Sequence, residues 1–407
     1  MTAPACRLCG GGNLTGLVDL GAMPLANAYL TAEAIGQGRE RRYPLRVRVC
    51  TACWLAQADA ALTPDAIFSD YPYFASCSRS WVAHAARYAA EMVAMLGLDG
   101  RSLVIEAASN DGYLLRHFVT RGIPVLGIEP AANVAAAARA RGVPTETRFF
   151  DAAAGRELAG RGLAADLLVA NNVLAHVPDI MAFVSGFAPL LRPHGVVTFE
   201  FPHLLAMLRE CQFDTIYHEH FSYLSLLVVE RALCHAGLRA FDALPLATHG
   251  GSLRVFACHV GASWQPRPGL AAVRAQETAA GMEGAACYTG FAARVSAATE
   301  AFSGFLAARH AAGRVVAAYG AAAKGNTFLN ACGVGARDIA MVADRSPAKQ
   351  GRLLPGSHIP VVTPEQMRAA RPDDVVILPW NLADEIAGEL HGSGSRLWVA
   401  MPTLRAL

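Results

Sequence analysis

Apolar and polar positions along the 407 residues fall into three successive patterns. Residues 1 to about 60 are punctuated by Gly and Cys, with short apolar stretches such as LTGLVDLG and YPLRVRVC. That pattern predicts small strands and turns with little core of their own. Near Ser80 to Leu96, the run WVAHAARYAAEMVAML has apolar residues at helical spacing. An α/β rhythm then begins. SLVIEAA (Ser102 to Ala108), PVLGIEP, ADLLVANNV and HGVVTFEFP read as strands, and YLLRHFVTRG and NVAAAARARG as helices between them. Strands alternating with helices predict a parallel sheet covered on both faces, running to about residue 260. GASWQPRPGL reads as a linker. A long helix from about Ala286 to Ala312 follows, and then a second α/β rhythm: RVVAAYGAAAKGN as strand, loop and helix, with DIAMVADRS and DDVVILPWN as further strands.

Composition changes this picture little. At 53% hydrophobic and 17% charged, the chain is globular and well cored. A formal net charge of +2 gives no strongly basic face and argues against a nucleic-acid partner. The start, MTAPACRLCG, lacks the charged-then-apolar pattern of a signal peptide. No uninterrupted apolar run approaches the length of a membrane span, so a cytoplasmic protein without a membrane partner is expected. Ten cysteines in such a chain favour metal binding over a disulfide framework.

The cysteines concentrate that expectation. Cys6-x-x-Cys9 and Cys50-x-x-Cys53 are two turns that each bring two thiolates to one ion. Together they make an all-thiolate tetrahedral site, which suits zinc and leaves no open coordination position. The expected role is structural, a staple for a thin core. The other six cysteines are scattered and are expected as core residues.

In the first α/β unit, the strand SLVIEAA leads into Glu106-Ala-Ala-Ser-Asn-Asp-Gly112. A ligand of an open parallel sheet binds beyond the strand carboxyl ends, where small residues let it approach the backbone. Only Gly112 remains of a Gly-x-Gly pattern, with Ala108 and Asn110 in the other slots and Asp111 beside it. The second strand ends in Glu129-Pro130, 23 residues after Glu106. An acid at that place can accept hydrogen bonds from two ribose hydroxyls. Phe150 and Asp151 can flank an adenine, although Asp151 fits equally well as a helix N-cap. Asn171 and Asn172 end the next strand, shortly before His176. The Asn-Asp-Gly loop and the missing Gly-x-Gly favour S-adenosylmethionine over NAD.

Further on, YHEHFSY sets Tyr217, His218, Glu219 and His220 side by side. Such a run suits a polar loop over a cleft, with a histidine as general base and the neighbouring Glu orienting it. In HGGSLRVF, Gly250 and Gly251 permit a tight turn between His249 and Arg254. Arg254 is placed either to pair with a phosphate or to hold structure. In the last unit, Lys324 and the helix start after YGAAAKGNT can hold a diphosphate, with Asp344 closing the second strand and Trp380-Asn381 the third. The loop does not match a P-loop.

The ordered set CxxC…CxxC, DYPYFAS (Asp70 to Ser76), EAASNDG, NNVLAHVPD, YHEHFSYLS, HGGSLR, YGAAAKGNT and LPWN resembles the deoxysugar C-methyltransferases that act on nucleoside-diphosphate-linked keto sugars. The resemblance covers nearly the whole chain. It implies an α/β protein with a small zinc-binding N-terminal domain (1–75), a central class I methyltransferase Rossmann-like domain (76–262) and a C-terminal second Rossmann-like domain (263–407). It further implies methyl transfer from S-adenosylmethionine to C-3 of a 4-keto-deoxysugar through an enolate, and is compatible with a monomer. By match to the motifs, His220 is the expected base, and Glu219 orients it or holds a sugar hydroxyl. Tyr217 and His176 contact the keto or neighbouring oxygens, with Tyr73 or Tyr71 from DYPYFAS nearby. His249, Arg254, Tyr319, Lys324, Asn326, Asp344 and Asn381 are the expected substrate-binding set, the C-terminal unit holding the nucleotide. Cys77 stands where the family often has Tyr, and Ala107-Ala108 replace a more glycine-rich loop. The competing readings are an O- or N-methyltransferase of a nucleotide sugar, a nucleotide-sugar oxidoreductase, and an idle binding protein.

Overall fold

A computed structural model describes residues 5–59, 62–63 and 74–407. Among them, three β-sheets carry the three sequence patterns. The N-terminal sheet is antiparallel, formed by Leu14–Pro24, Arg42–Cys50 and Ala56–Ala58. Its fourth strand, Ser222–Tyr223, comes from the segment just after His220. The central sheet has seven strands in the order Leu238–Leu246, Ser252–His259, Leu191–Pro202, Ala165–Asn171, Val104–Ala107, Val125–Ile128 and Thr145–Glu146. The last five run parallel, whereas Ser252–His259 lies antiparallel to both its neighbours. The C-terminal sheet has six strands, ordered Val361–Val362, Val342–Ala343, Val316–Tyr319, Asp374–Ile377, Arg396–Val399 and Arg405–Ala406, of which only the last is antiparallel. Among the described residues, no helix is long and apolar enough to cross a membrane.

The helices follow the apolar spacing with local corrections. Arg79–Leu96 begins at Ser78, whose side chain accepts from Trp81 N, and ends at Gly97 in the left-handed region, the usual chemistry of both ends. YLLRHFVTRG shortens to Arg116–Val119, because a turn continues from Gly112 into its first residues. The expected linker is folded instead. Trp264 stacks on Phe241 at 4.9 Å, and Pro268 opens the helix Pro268–Ala279, whose Leu270 and Val273 join the central core. An indole and an amphipathic helix in that stretch had apolar surface to bury, which outweighed its Pro and Gly content.

Two cores cover the faces of the central sheet. A third core is shared. Leu45, Val47 and Val49 of the N-terminal sheet pack with Leu204 to Leu208, with Phe291 and Phe302 of helix Phe291–Ala311, and with Val316, Phe328 and Val376 of the C-terminal unit. The thin N-terminal pattern thus completes its burial on the rest of the chain.

Candidate active site

The central sheet reverses its order between Val104–Ala107 and Ala165–Asn171. Ligands of such sheets sit outside the strand carboxyl ends at that point. The loop after Val104–Ala107 turns through positive φ at Ala108 (56°), Asn110 (48°) and Gly112 (75°). A Cβ on Gly112 would lie 2.8 Å from Val143 Cγ2, so the position admits only Gly. Glu129 closes on the loop. Its Oε2 accepts from Asn110 N at 3.0 Å and its Oε1 from Ala131 N at 2.9 Å, across Pro130. Each oxygen keeps lone-pair capacity for a hydroxyl.

Glu106 is fully buried, and neither carboxylate oxygen has a hydrogen-bond partner among the described residues. Burial, followed by the nearby Glu129 and Asp111, pushes its pKa well above the ordinary carboxylate range. Asp111 is partly neutralised by Arg141 at 2.6 Å and by the Ser76 hydroxyl. Three acids with one orphaned carboxyl fit a ligand that carries positive charge and a ribose diol, as S-adenosylmethionine does. Ala75 N donates to Asn110 Oδ1 at 2.9 Å, so the end of DYPYFAS docks on this loop. Tyr71 and Tyr73 lie outside the described residues.

Asp151 is the N-cap of helix Ala152–Gly160, its Oδ1 accepting from Ala154 N at 2.8 Å. Phe150 packs against Phe183 and Phe187, at 5.6 and 4.7 Å between ring centroids. Among the described residues, Asn171 Oδ1 and Asn172 Nδ2 are buried without hydrogen-bond partners, and Asn172 sits at φ 52°. Two unpaired amide groups at a strand end are what a ligand-facing loop leaves for its ligand.

The second half of the site is built around His220. Its Nδ1 donates to the Thr215 carbonyl at 2.8 Å, leaving the lone pair on Nε2. The ring contacts Tyr217 at 4.0 Å and His176 at 4.7 Å between centroids. It lines a small cavity with Thr215, Ser222, Tyr223 and Met207. Burial first, then His176, hold its pKa well below the ordinary histidine value, so the ring is neutral near pH 7. Burial depresses His176 to about 4, against the opposing effect of its bond with the Glu219 backbone. The carbonyl of Thr215, rather than Glu219, makes the orienting bond to Nδ1. Glu219 Oε1 instead accepts from Asn27 Nδ2 at 2.6 Å, a contact from the N-terminal domain that sequence patterns did not flag. His218 turns aside to the Tyr43 carbonyl at 3.2 Å.

His249 stands at φ 54°, 4.8 Å from Trp81, with its pKa lowered to about 4 by burial and then by Lys324. Lys324 lies at the reversal point of the C-terminal sheet. Its Nζ donates to Asn381 Oδ1 at 2.8 Å and sits 4.7 Å from the Trp380 ring centroid. Trp380 Nε1 in turn donates to buried Asp214 at 2.7 Å, the residue before Thr215. Burial pushes the Lys324 pKa down, opposed by Asp214. The charge of Lys324 adds to the lowering of both the His220 and His249 pKa values.

Other expected contacts resolve differently. Arg254 is 2% exposed, and its guanidinium pairs with Glu200 through Nε at 3.1 Å and a terminal nitrogen at 2.9 Å. His84 holds the other Glu200 oxygen at 2.9 Å. A guanidinium so enclosed and neutralised favours the structural one of its two expected roles over a place on a phosphate. Tyr319 donates to Glu389 at 3.1 Å, and Asp344 accepts from Ala321 N and Ser346 N, both at 2.8 Å. Asn326 is buried and donates to the Ala26 carbonyl. Tyr319, Asp344 and Asn326 therefore serve contacts within the protein, and the latter two sit beside the N-terminal turn 25–30.

The four cysteines Cys6, Cys9, Cys50 and Cys53 converge, with all Sγ atoms within 4.8 Å of one another. Cys6 and Cys53 are 3.3 Å apart, and Cys9 and Cys50 are 3.6 Å apart. Four thiolates at that spacing fit tetrahedral zinc and leave no ligand position for substrate.

Three family profiles match in series. "Putative zinc binding domain" covers residues 6–68, "Methyltransferase domain" 81–242, and "C-methyltransferase C-terminal domain" 247–402. The chain is 38% identical to C-methyltransferase NovU of Streptomyces niveus over 405 residues, covering 99% of this chain and 96% of that protein. Among solved structures, magnesium protoporphyrin IX methyltransferase from Synechocystis PCC 6803 aligns at 18% identity over 44% of this chain and 83% of its own, with a TM-score of 0.36. A methyltransferase from Clostridium acetobutylicum ATCC 824 aligns at 12% over 43% and 91%, with a TM-score of 0.35. Scores this low leave the argument to the profiles and the full-length relative. On that ground the chain belongs to the S-adenosylmethionine-dependent C-methyltransferases.

Proposed function

We propose that this enzyme methylates C-3 of a nucleoside-diphosphate-linked 4-keto-deoxysugar through an enolate, with His220 as the base. The observation that carries the reading is the bond from His220 Nδ1 to the Thr215 carbonyl at 2.8 Å. It fixes the tautomer, so Nε2 holds a lone pair in a buried, neutral ring. A C–H beside a ketone is acidic enough for such a base, because the carbanion formed is an enolate. The proton passes to Nε2, and negative charge develops on the ketone oxygen. Tyr217, His176 and the positive field of Lys324 would steady that oxygen in a site with little water. Glu219 would hold a sugar hydroxyl. Glu106, Asp111, Glu129 and the backbone from Ala108 to Gly112 would hold S-adenosylmethionine, with Phe150 along its adenine and Asn171 and Asn172 at the strand end. Bound there, the cofactor supplies an electrophilic methyl group. Zinc on Cys6, Cys9, Cys50 and Cys53 would keep the N-terminal sheet folded.

Incubation with methyl-labelled S-adenosylmethionine and a nucleotide-linked 4-keto-6-deoxysugar should give a new C–CH3 signal by NMR. Label in an O-methyl ether would sink the carbon-acid chemistry.

A further inference from the structure

Asn27 follows strand Leu14–Pro24, in the turn that leaves the N-terminal sheet. Its side chain crosses 192 residues of sequence to donate to Glu219 Oε1 at 2.6 Å. The turn is held on its other sides by the C-terminal unit. Asn326 Nδ2 donates to the Ala26 carbonyl at 3.0 Å, and the Tyr29 hydroxyl donates to the Ala321 carbonyl. Lys349 Nζ donates to that same Ala321 oxygen at 2.7 Å, and Leu30 pairs backbone to backbone with Leu353. The turn's own backbone bonds, Ala28 N to Leu25 O and Tyr29 N to Asn27 O, need no particular side chain at 27. An amide there has one evident use: its NH2 is a donor aimed at a carboxylate, and a charge-assisted bond of this kind fixes orientation as well as lowering energy.

We propose that Asn27 is a positioning residue for methyl transfer, fixing the Glu219 carboxylate in the acceptor site, so that the zinc-binding domain forms part of that site. The proposal rests on the reading that Glu219 and His220 face the substrate. Zinc is then linked to turnover only through the fold: it would anchor the sheet whose strand Leu14–Pro24 leads to Asn27. Among the described residues, the groups around the Asn27–Glu219 pair include Tyr29, His176 and His220, with Asp344 and Lys349 behind Tyr29. Burial raises the Tyr29 pKa, and burial lowers those of His176 and His220.

The test compares Asn27→Ala, Asn27→Asp and Glu219→Gln in the zinc-loaded, full-length protein, with zinc content, melting temperature and S-adenosylmethionine affinity measured alongside. Asn27→Ala should lower kcat by about 10- to 100-fold, the range for a hydrogen bond to a charged group, with cofactor affinity unchanged. Asn27→Asp keeps the shape but sets two carboxylates together, which share one proton with a raised apparent pKa. Its turnover relative to wild type, taken pH by pH, should recover on the acid side and fall as the shared proton is lost. A packing role alone would give a pH-independent ratio. Impaired Glu219→Gln with a flat ratio for Asn27→Asp overturns the proposal and leaves the reading of the site intact. Full activity in both Glu219→Gln and His220→Asn overturns that reading, and this proposal with it. If Asn27→Ala loses zinc or melts early, the isosteric Asn27→Asp ratio decides.

Discussion

His220→Asn isolates the proposed base. The amide nitrogen of Asn falls near the ring Nδ1, so the 2.8 Å bond to the Thr215 carbonyl can persist. What disappears is Nε2 and the ring edge packed against Tyr217 and His176. Losing that edge should cost about 1 kcal/mol of stability, the lower end for a buried truncation. Losing the base should slow the proton transfer by about 10²- to 10⁴-fold, or about 3–5 kcal/mol in the barrier. The assay that separates the two is deuterium uptake at the carbon beside the ketone, in D2O, without methyl donor. Wild type should exchange that hydrogen and the variant should not, while both bind S-adenosylmethionine alike. Because burial depresses the His220 pKa, wild-type exchange should stay flat through pH 7 and fall only in acid, as the ring protonates. Exchange by the variant within a few-fold of wild type would place the base elsewhere.

Acid should weaken the fold through the buried histidines. A folded pKa of about 4 against 6.5 unfolded for His176 means its contribution is fully present above 6.5 and is lost as pH falls towards 4. That is on the order of 3 kcal/mol, readable from urea midpoints across this window. Glu106→Gln should raise the melting temperature at pH 7 to 8, since a buried carboxyl with a raised pKa is costly when ionised, and weaken cofactor binding by calorimetry. Wild type should narrow that gap as pH falls towards 4.5; equal melting at every pH would argue against a buried acid. One zinc per chain should be found by metal analysis, and Cys50→Ser should lower both zinc content and melting temperature together. Glu200→Ala should cost about 3 kcal/mol, because it leaves buried Arg254 only the exposed Glu91 carboxylate at 3.3 Å as an acidic partner, measured by denaturant unfolding.

How much of this was legible in the sequence depended on the distance over which each feature is determined. Cys6 to Cys9 and Cys50 to Cys53 are local turns whose spacing already states their chemistry. The sheet order around Val104–Ala107 follows from alternating elements and one rule of handed crossover. Asp151 was ambiguous because a cap and an adenine partner use the same side chain at the same place, and its observed bond to Ala154 is the cap. Arg254 was ambiguous for a different reason, between a phosphate and a structural role. HGGSLR looks like an exposed ligand turn, but Arg254 points inward to Glu200, 54 residues away, and no local pattern encodes that pairing.

The residues hardest to foresee are those that join domains. Asn27 sits in a short run, MPLANAYL, where one Asn carries no periodic signal. Thr215 acts through its carbonyl, which every residue possesses. Asp214 and Trp380 meet only once the C-terminal sheet lies against the 213–215 turn. These contacts have one physical origin. The N-terminal sheet lacks enough apolar surface to stand alone and completes its core on helix Phe291–Ala311 and the C-terminal sheet. That burial presses the turn after Leu14–Pro24 between the YHEH segment and the loop after Val316–Tyr319. The shared core sets Asn27 against Glu219, and the cysteine cluster ties the approach to the first strand of that sheet, through Cys6 and Cys9, to the end of its second, through Cys50 and Cys53.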